Sequence, residues 1–244
     1  MKKICFCTAG ASPALTHARN KLLSWGYDVT AEPGKDVTHL LLSVPSLDES
    51  GMIRGGPSLE QLLTMLPEDV TVLGGMLPPL PRNTVDFLRD EYYLAENAAI
   101  TAQCALSLTY SHLEKTMTGQ PVLVIGWGRI GKCLAPLLHA LGAEVTVAVR
   151  KLSDAAMLSA LGYRAVSTEE LGAENFRIIY NTAPAPVLHR KDTHPDALII
   201  DLASIKGIEG DNVLWARGLP GKIAPETSGA LIAKTALRYA LRKE

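Results

Sequence analysis

The stretch Val122-Leu123-Val124-Ile125-Gly126-Trp127-Gly128-Arg129-Ile130-Gly131 decides the fold. Four branched apolar residues in a row read as a strand buried on both faces, and they run straight into G-x-G-x-x-G. Residues 130–141 then place apolar side chains at helical spacing, and residues 144–149 make a second strand. In such a strand–turn–helix–strand unit each glycine has its own task. Gly126 permits the tight turn, Gly128 lets the backbone approach a pyrophosphate with no Cβ in the way, and Gly131 lets helix and strand pack closely. The N–H groups at the helix start, and the positive end of its dipole, favour an anion there. Trp127, Arg129 and Ile130 fill the turn, and Arg129 either adds a phosphate contact or points to water. The competing reading is a bare strand–helix turn; the flanking elements weigh toward a dinucleotide.

The end of the second strand selects the dinucleotide. NAD binders usually place an acid there, about 20 residues on, to accept hydrogen bonds from the ribose hydroxyls. Here the strand ends Val147-Ala148-Val149-Arg150-Lys151. Two cations in place of a carboxylate attract a 2′-phosphate, so the expected cofactor is NADP(H); the alternative is a pair of solvated surface charges. Two further strand ends face the same crevice, Asn181-Thr182-Ala183-Pro184 and Asp201-Leu202-Ala203-Ser204. Their polar groups are expected to fix the nicotinamide and its ribose, against the plainer reading of ordinary turn chemistry.

Working outward, residues 153–161 read as a helix, and residues 163–166, 177–181 and 197–202 as strands. Alternating strands and helices mean right-handed crossovers and a parallel sheet. Residues 97–117 predict a long connector helix, and residues 228–242 a closing helix with Ala230, Ala233, Leu237, Ala240 and Leu241 on one stripe. Arg238, Arg242 and Lys243 gather at its negative dipole end. Before the connector, strands at 4–7, 27–30, 38–44 and 70–73 alternate with helices at 13–25 and 59–66. The expected fold is α/β: a Rossmann-type doubly wound parallel sheet in residues 97–244, with a smaller, flavodoxin-like α/β domain in residues 1–96.

The chain has 244 residues, with 24 Lys plus Arg against 25 Asp plus Glu. A net charge of −1 supplies no field to hold a polyanion, so nucleic acid is not an expected partner. No apolar run approaches the roughly 18 residues that cross a bilayer. The start, Met1-Lys2-Lys3-Ile4-Cys5-Phe6-Cys7, looks briefly like a secretory n-region, but its apolar stretch is short and His17 and Arg19 soon follow. Four scattered cysteines fit a reduced compartment. The expectation is a cytoplasmic protein.

Two domains, a connector helix and a returning helix resemble the D-2-hydroxyacid dehydrogenases, but the chemistry does not follow the shape. Those enzymes need an Arg for the substrate carboxylate and a His for the hydroxyl proton. This chain has Ser204 near the first place and Pro225-Glu226-Thr227-Ser228-Gly229 at the second. The six histidines offer no replacement, and no group of His, Cys and carboxylates has metal-ligand spacing.

A closer resemblance rests on five stretches: Asn97-Ala98-Ala99-Ile100-Thr101-Ala102, the glycine turn, Ala148-Val149-Arg150, Ile199-Ile200-Asp201-Leu202-Ala203-Ser204, and Gly218-Leu219-Pro220-Gly221-Lys222-Ile223-Ala224-Pro225-Glu226-Thr227-Ser228-Gly229. Together they resemble the A-type component of dipicolinate synthase from spore-forming bacteria. The resemblance implies a nicotinamide-dependent enzyme that oxidises a dihydrodipicolinate-type precursor during sporulation, working with a flavoprotein-like B subunit, with hydride transfer in the cleft between its domains. Thr101, Ser204 and Glu226 are then the candidates beside the nicotinamide, and Pro225 a further cofactor contact. Arg54, Lys222 and the helix start after Pro225 are candidate clamps for a small dicarboxylate. Assembly into a homo-oligomer is also open. The chain departs from the family in the turn Thr8-Ala9-Gly10-Ala11-Ser12-Pro13 and in Ile205-Lys206-Gly207-Ile208-Glu209-Gly210, which replaces Pro-Gly-Gly. The alternatives are a dehydrogenase for another small carboxylic acid, or a nucleotide-binding subunit without chemistry.

Overall fold

The structure is a computed structural model that describes residues 3–242. Met1 and Lys2 of the n-region-like start, and Lys243 of the closing cationic group, lie outside the described residues. The chain divides into two compact units. One holds the residues up to Asn97 together with those from Pro220 onward; the other is Ala98–Leu219.

In the first unit, β1 (Cys5–Ala9) is followed by α1 (Pro13–Ser24), β2 (Asp28–Thr30), β3 (His39–Leu42), α2 (Leu59–Thr64), β4 (Thr71–Gly74) and β5 (Thr84–Asp86). Pro13 opens α1 where a missing N–H costs nothing. Ser58 and Gln61 close a reciprocal capping box on α2. The sheet runs β2-β1-β3-β4-β5 with every pair parallel, the flavodoxin-like order. Phe6, Leu40, Leu41, Leu42 and Val72 are fully buried in it. The strand β5 was not expected: three residues after an Arg-Asn turn carry too little pattern to read.

Then α3 (Glu91–Tyr110) runs across the first crossing between units. It begins and ends earlier than the expected 97–117; its start is set by Asp90, which accepts the Tyr93 N–H at 2.7 Å on its carboxylate and the Leu94 N–H at 2.9 Å on its carbonyl. In the second unit follow β6 (Pro121–Ile125), α4 (Arg129–Ala140), β7 (Glu144–Val149), α5 (Leu152–Ala160), β8 (Arg164–Ser167), β9 (Ile178–Asn181), β10 (Leu188–His189), β11 (Leu198–Asp201), β12 (Ile208–Glu209) and β13 (Val213–Trp215). Six strands form a parallel sheet in the order β13-β11-β9-β6-β7-β8, while β10 pairs with β12 alone. Numbered within the unit, that is the dinucleotide-binding order 3-2-1-4-5-6, with its reversal between β6 and β9.

The chain then passes through α6 (Leu219–Ile223) into α7 (Pro225–Ala240). Here the structure corrects the sequence reading: α7 belongs to the first unit, not to the dinucleotide-binding one. It packs on α1 at backbone contact, since a Cβ built on Gly229 would stand 2.5 Å from the Ala14 carbonyl oxygen and 2.8 Å from the Ala18 nitrogen. The buried face also differs from the expected stripe: Ser228, Gly229, Leu231, Ile232, Ala233, Thr235 and Ala236 are buried, while Leu241 is exposed.

Candidate dinucleotide site

The register of the second sheet brings its strand ends to one edge. Ile125 pairs with Ala148 and Asn181, and Asp201 with Asn181 and Trp215. The glycine turn leaves this edge at the reversal point. Gly126 has φ +101°, in the region that favours glycine. A Cβ on Gly131 would lie 2.2 Å from the Gly126 carbonyl oxygen, so helix and turn meet only because no side chain stands there. The Thr182 hydroxyl braces the turn from β9, donating to the Ile125 carbonyl at 2.9 Å. Around Gly128, by contrast, a Cβ would find nothing within 4 Å. Gly128 is the N-cap of α4, and no side chain caps that helix. Open space beside an uncapped, positive helix end is what a diphosphate needs.

A cavity of about 450 Å³ opens there. Of the expected cofactor residues, Gly126, Trp127, Gly128, Arg150, Lys151, Thr182, Ala183 and Pro184 line it. Arg129, Ile130 and Gly131 form the first turn of α4 and are not part of its lining. Arg150 and Lys151 are both exposed. The residues present therefore fit a dinucleotide: a cradle at Gly128, a helix start for phosphate, and cations past β7.

Asn181 and Asp201 are placed differently from expectation. Both are fully buried. Asp201 accepts four hydrogen bonds: from Asn181 Nδ2 at 3.0 Å and the Ala203 N–H at 3.0 Å on one oxygen, and from the Gly207 N–H at 2.7 Å and the Ile208 N–H at 3.1 Å on the other. Asn181 Oδ1 accepts the Ala183 N–H at 3.0 Å. These side chains hold the two strand-end loops together. They position Ala183 and Pro184, which line the cavity, while not lining it themselves.

Thr101 is buried on α3, and Ser204 is exposed just past β11. Glu226 and Pro225 open α7, in the first unit. None of these four lines the cavity. Sequence reasoning missed Asp154, Thr168 and the run Ala185-Pro186-Val187, which do. Asp154 stands in the first turn of α5 and puts a carboxylate beside the two cations. An acid in the first turn of a helix was the available signal. Burial raises the Cys133 thiol on α4 above its ordinary range, so that thiol stays protonated at neutral pH.

Residues 97–191 match the family described as D-isomer specific 2-hydroxyacid dehydrogenase, NAD binding domain. That match falls almost wholly in the second unit and supports a nicotinamide-dinucleotide cofactor there. The dipicolinate synthase A protein of Bacillus subtilis (strain 168) is 33% identical over 160 residues, which make up 60% of this chain and 54% of that protein. The match thus spans about half the length of that relative. Among solved structures, the dipicolinate synthase A protein from Bacillus halodurans aligns over 100% of both chains with a TM-score of 0.87 at 21% identity. Its Bacillus subtilis counterpart aligns over 98% of this chain and 97% of that one, with a TM-score of 0.83 at 22% identity. The resemblance to the A-type component of dipicolinate synthase thus holds in sequence over the matched stretch and in fold over the whole chain. No helix among the described residues is long and apolar enough to cross a membrane.

Proposed function

We propose that the chain is an NADP-dependent oxidoreductase of the dipicolinate synthase A type, converting a dihydrodipicolinate-type dicarboxylate to the aromatic pyridine dicarboxylate, in the cytoplasm and beside a flavoprotein-like B subunit. The observation that carries the cofactor assignment is the pairing of Arg150 and Lys151 with the open cradle at Gly128 in one cavity. Asp154 opposes them with one carboxylate, and the two cations outweigh it. The nicotinamide of the bound dinucleotide supplies the hydride acceptor. The dihydropyridine ring gives up a hydride and one proton and gains aromatic stabilisation. The protein's task is therefore mainly orientation, with Asp201 and Asn181 fixing the loops on which that orientation depends. The proton leaves to solvent water, and Ser204 Oγ, exposed just past the carboxyl end of β11, is the second unit's candidate to relay it, giving up its own proton as it takes one.

Two measurements test this. NADPH formation with freshly generated dihydrodipicolinate, with and without a B-type partner, is expected to be clear with at least one of the two; none in either case overturns the activity. In calorimetric titrations at fixed salt, NADPH is expected to bind more tightly than NADH. Arg150→Ala should remove most of the preference, since one charge-assisted hydrogen bond contributes about 1.5–3 kcal/mol. Equal affinities for the two cofactors overturn the NADP assignment.

A further inference from the structure

On the far side of β6 from Arg150, the carboxyl edge of the second sheet is built by β9, β11 and β13. In a sheet of this order the nicotinamide half of a dinucleotide occupies that side. A dianionic substrate brought there meets no help from Arg150 or Lys151, which stand past β7 on the adenosine side. Arg54 and Lys222 belong to the first unit. Within the second unit, a cation on this half of the edge comes just past β13.

Trp215 ends β13 in register with Asp201, and the Ala216 N–H donates to the Asp201 carbonyl at 2.8 Å. Arg217 follows. Its guanidinium carbon stands 5.2 Å from the centre of the Trp215 ring. The indole is itself anchored, its Nε1–H donating to the Ala203 carbonyl at 3.1 Å, one residue before Ser204. Arg217 is exposed and pairs with no carboxylate among the described residues. Contact with an aromatic face leaves the guanidinium's in-plane N–H groups free, and they match a carboxylate two-pronged. Lys206, also exposed, stands in the turn after β11 and adds a second positive charge, without the fork.

We infer that Arg217, held on Trp215, binds one carboxylate of the substrate; this rests on the dicarboxylate reading given above. Its position just past the last strand makes it a specificity residue for a dianion, separate from the cations that select the cofactor.

The test is calorimetry on the full chain saturated with NADP⁺, titrated with pyridine-2,6-dicarboxylate and with the monocarboxylate pyridine-2-carboxylate. The natural chain is expected to prefer the dicarboxylate. Arg217→Gln should weaken dicarboxylate binding at least tenfold while leaving NADP⁺ affinity within twofold, and Arg217→Lys should restore only part of the loss. Trp215→Leu should weaken it in the same direction, through loss of the platform. If the natural chain binds the dicarboxylate and Arg217→Gln binds it equally well, the inference fails alone. If the natural chain binds NADP⁺ but no dicarboxylate, the dicarboxylate reading fails and takes the inference with it.

Discussion

Gly128 and Gly131 stand three residues apart in one turn and answer to different forces. At Gly131 a Cβ would be driven to 2.2 Å from the Gly126 carbonyl oxygen. Gly131→Ala must therefore move backbone, and it is expected to destabilise the protein by about 1–3 kcal/mol in urea unfolding. Gly128 has φ −79° and open space around it. Gly128→Ala is expected to leave stability within about 0.5 kcal/mol and to weaken NADP⁺ binding, because the methyl occupies room left for phosphate. Equal effects of the two substitutions on stability would contradict this division. Asp154 makes a second residue-scale case. With the proposed cofactor in the cavity its carboxylate would repel a 2′-phosphate and accept hydrogen bonds from ribose hydroxyls, so Asp154→Asn should raise the NADPH-over-NADH preference; a lowered preference in fluorescence titration would refute the charge argument. The glycines were legible in the sequence because their spacing alone states the constraint. The work of Asp201 was not: its carboxylate meets N–H groups six and seven residues ahead and an amide twenty residues behind, and only the folded register brings these together.

Among the elements, α3 shows how one side chain sets a boundary. Asp90 is 8% exposed. Burial works to raise its carboxyl, but the Tyr239 hydroxyl at 2.6 Å, the Tyr93 N–H at 2.7 Å and Arg238 at 2.6 Å hold it below the ordinary 3.8. A carboxyl depressed in the folded state contributes stability that is complete above its unfolded pKa, about 3.9, and is lost as pH falls through the lower folded value. Asp90→Asn is expected to cost about 2 kcal/mol at pH 7 and to make the loss of stability below pH 4 shallower. Urea unfolding at pH 7 and pH 3 measures both, and an unchanged acid slope would remove Asp90 from this role. The apolar period of α3 was readable from Ala98, Ala102 and Ala105. Its start was not, because the capping aspartate lies before the stretch that carries the period. The three residues of β13 gave no period at all, and they lie between Asn212, at φ +56°, and the turn at Gly218.

At the scale of the whole molecule, the two strand orders follow from alternating strand and helix patterns, which right-handed crossovers turn into parallel sheets. The closing helix shows where pattern reading stops: an amphipathic stripe says that a face is covered, not by which unit. Gly229 supplies the answer. Its missing side chain lets α7 reach the backbone of α1 at Ala14 and Ala18, so the last helix returns to the first unit. Gly229→Val forces a branched side chain into that contact and should destabilise the first unit by about 1–3 kcal/mol. Amide exchange should then quicken along α1 and α7. The cavity proposed for the dinucleotide is lined by second-unit residues, so NADP⁺ affinity in the same variant should stay within about twofold, a change of no more than about 0.4 kcal/mol. Exchange that quickens in α4 and spares α1 would place the closing helix with the dinucleotide-binding unit after all.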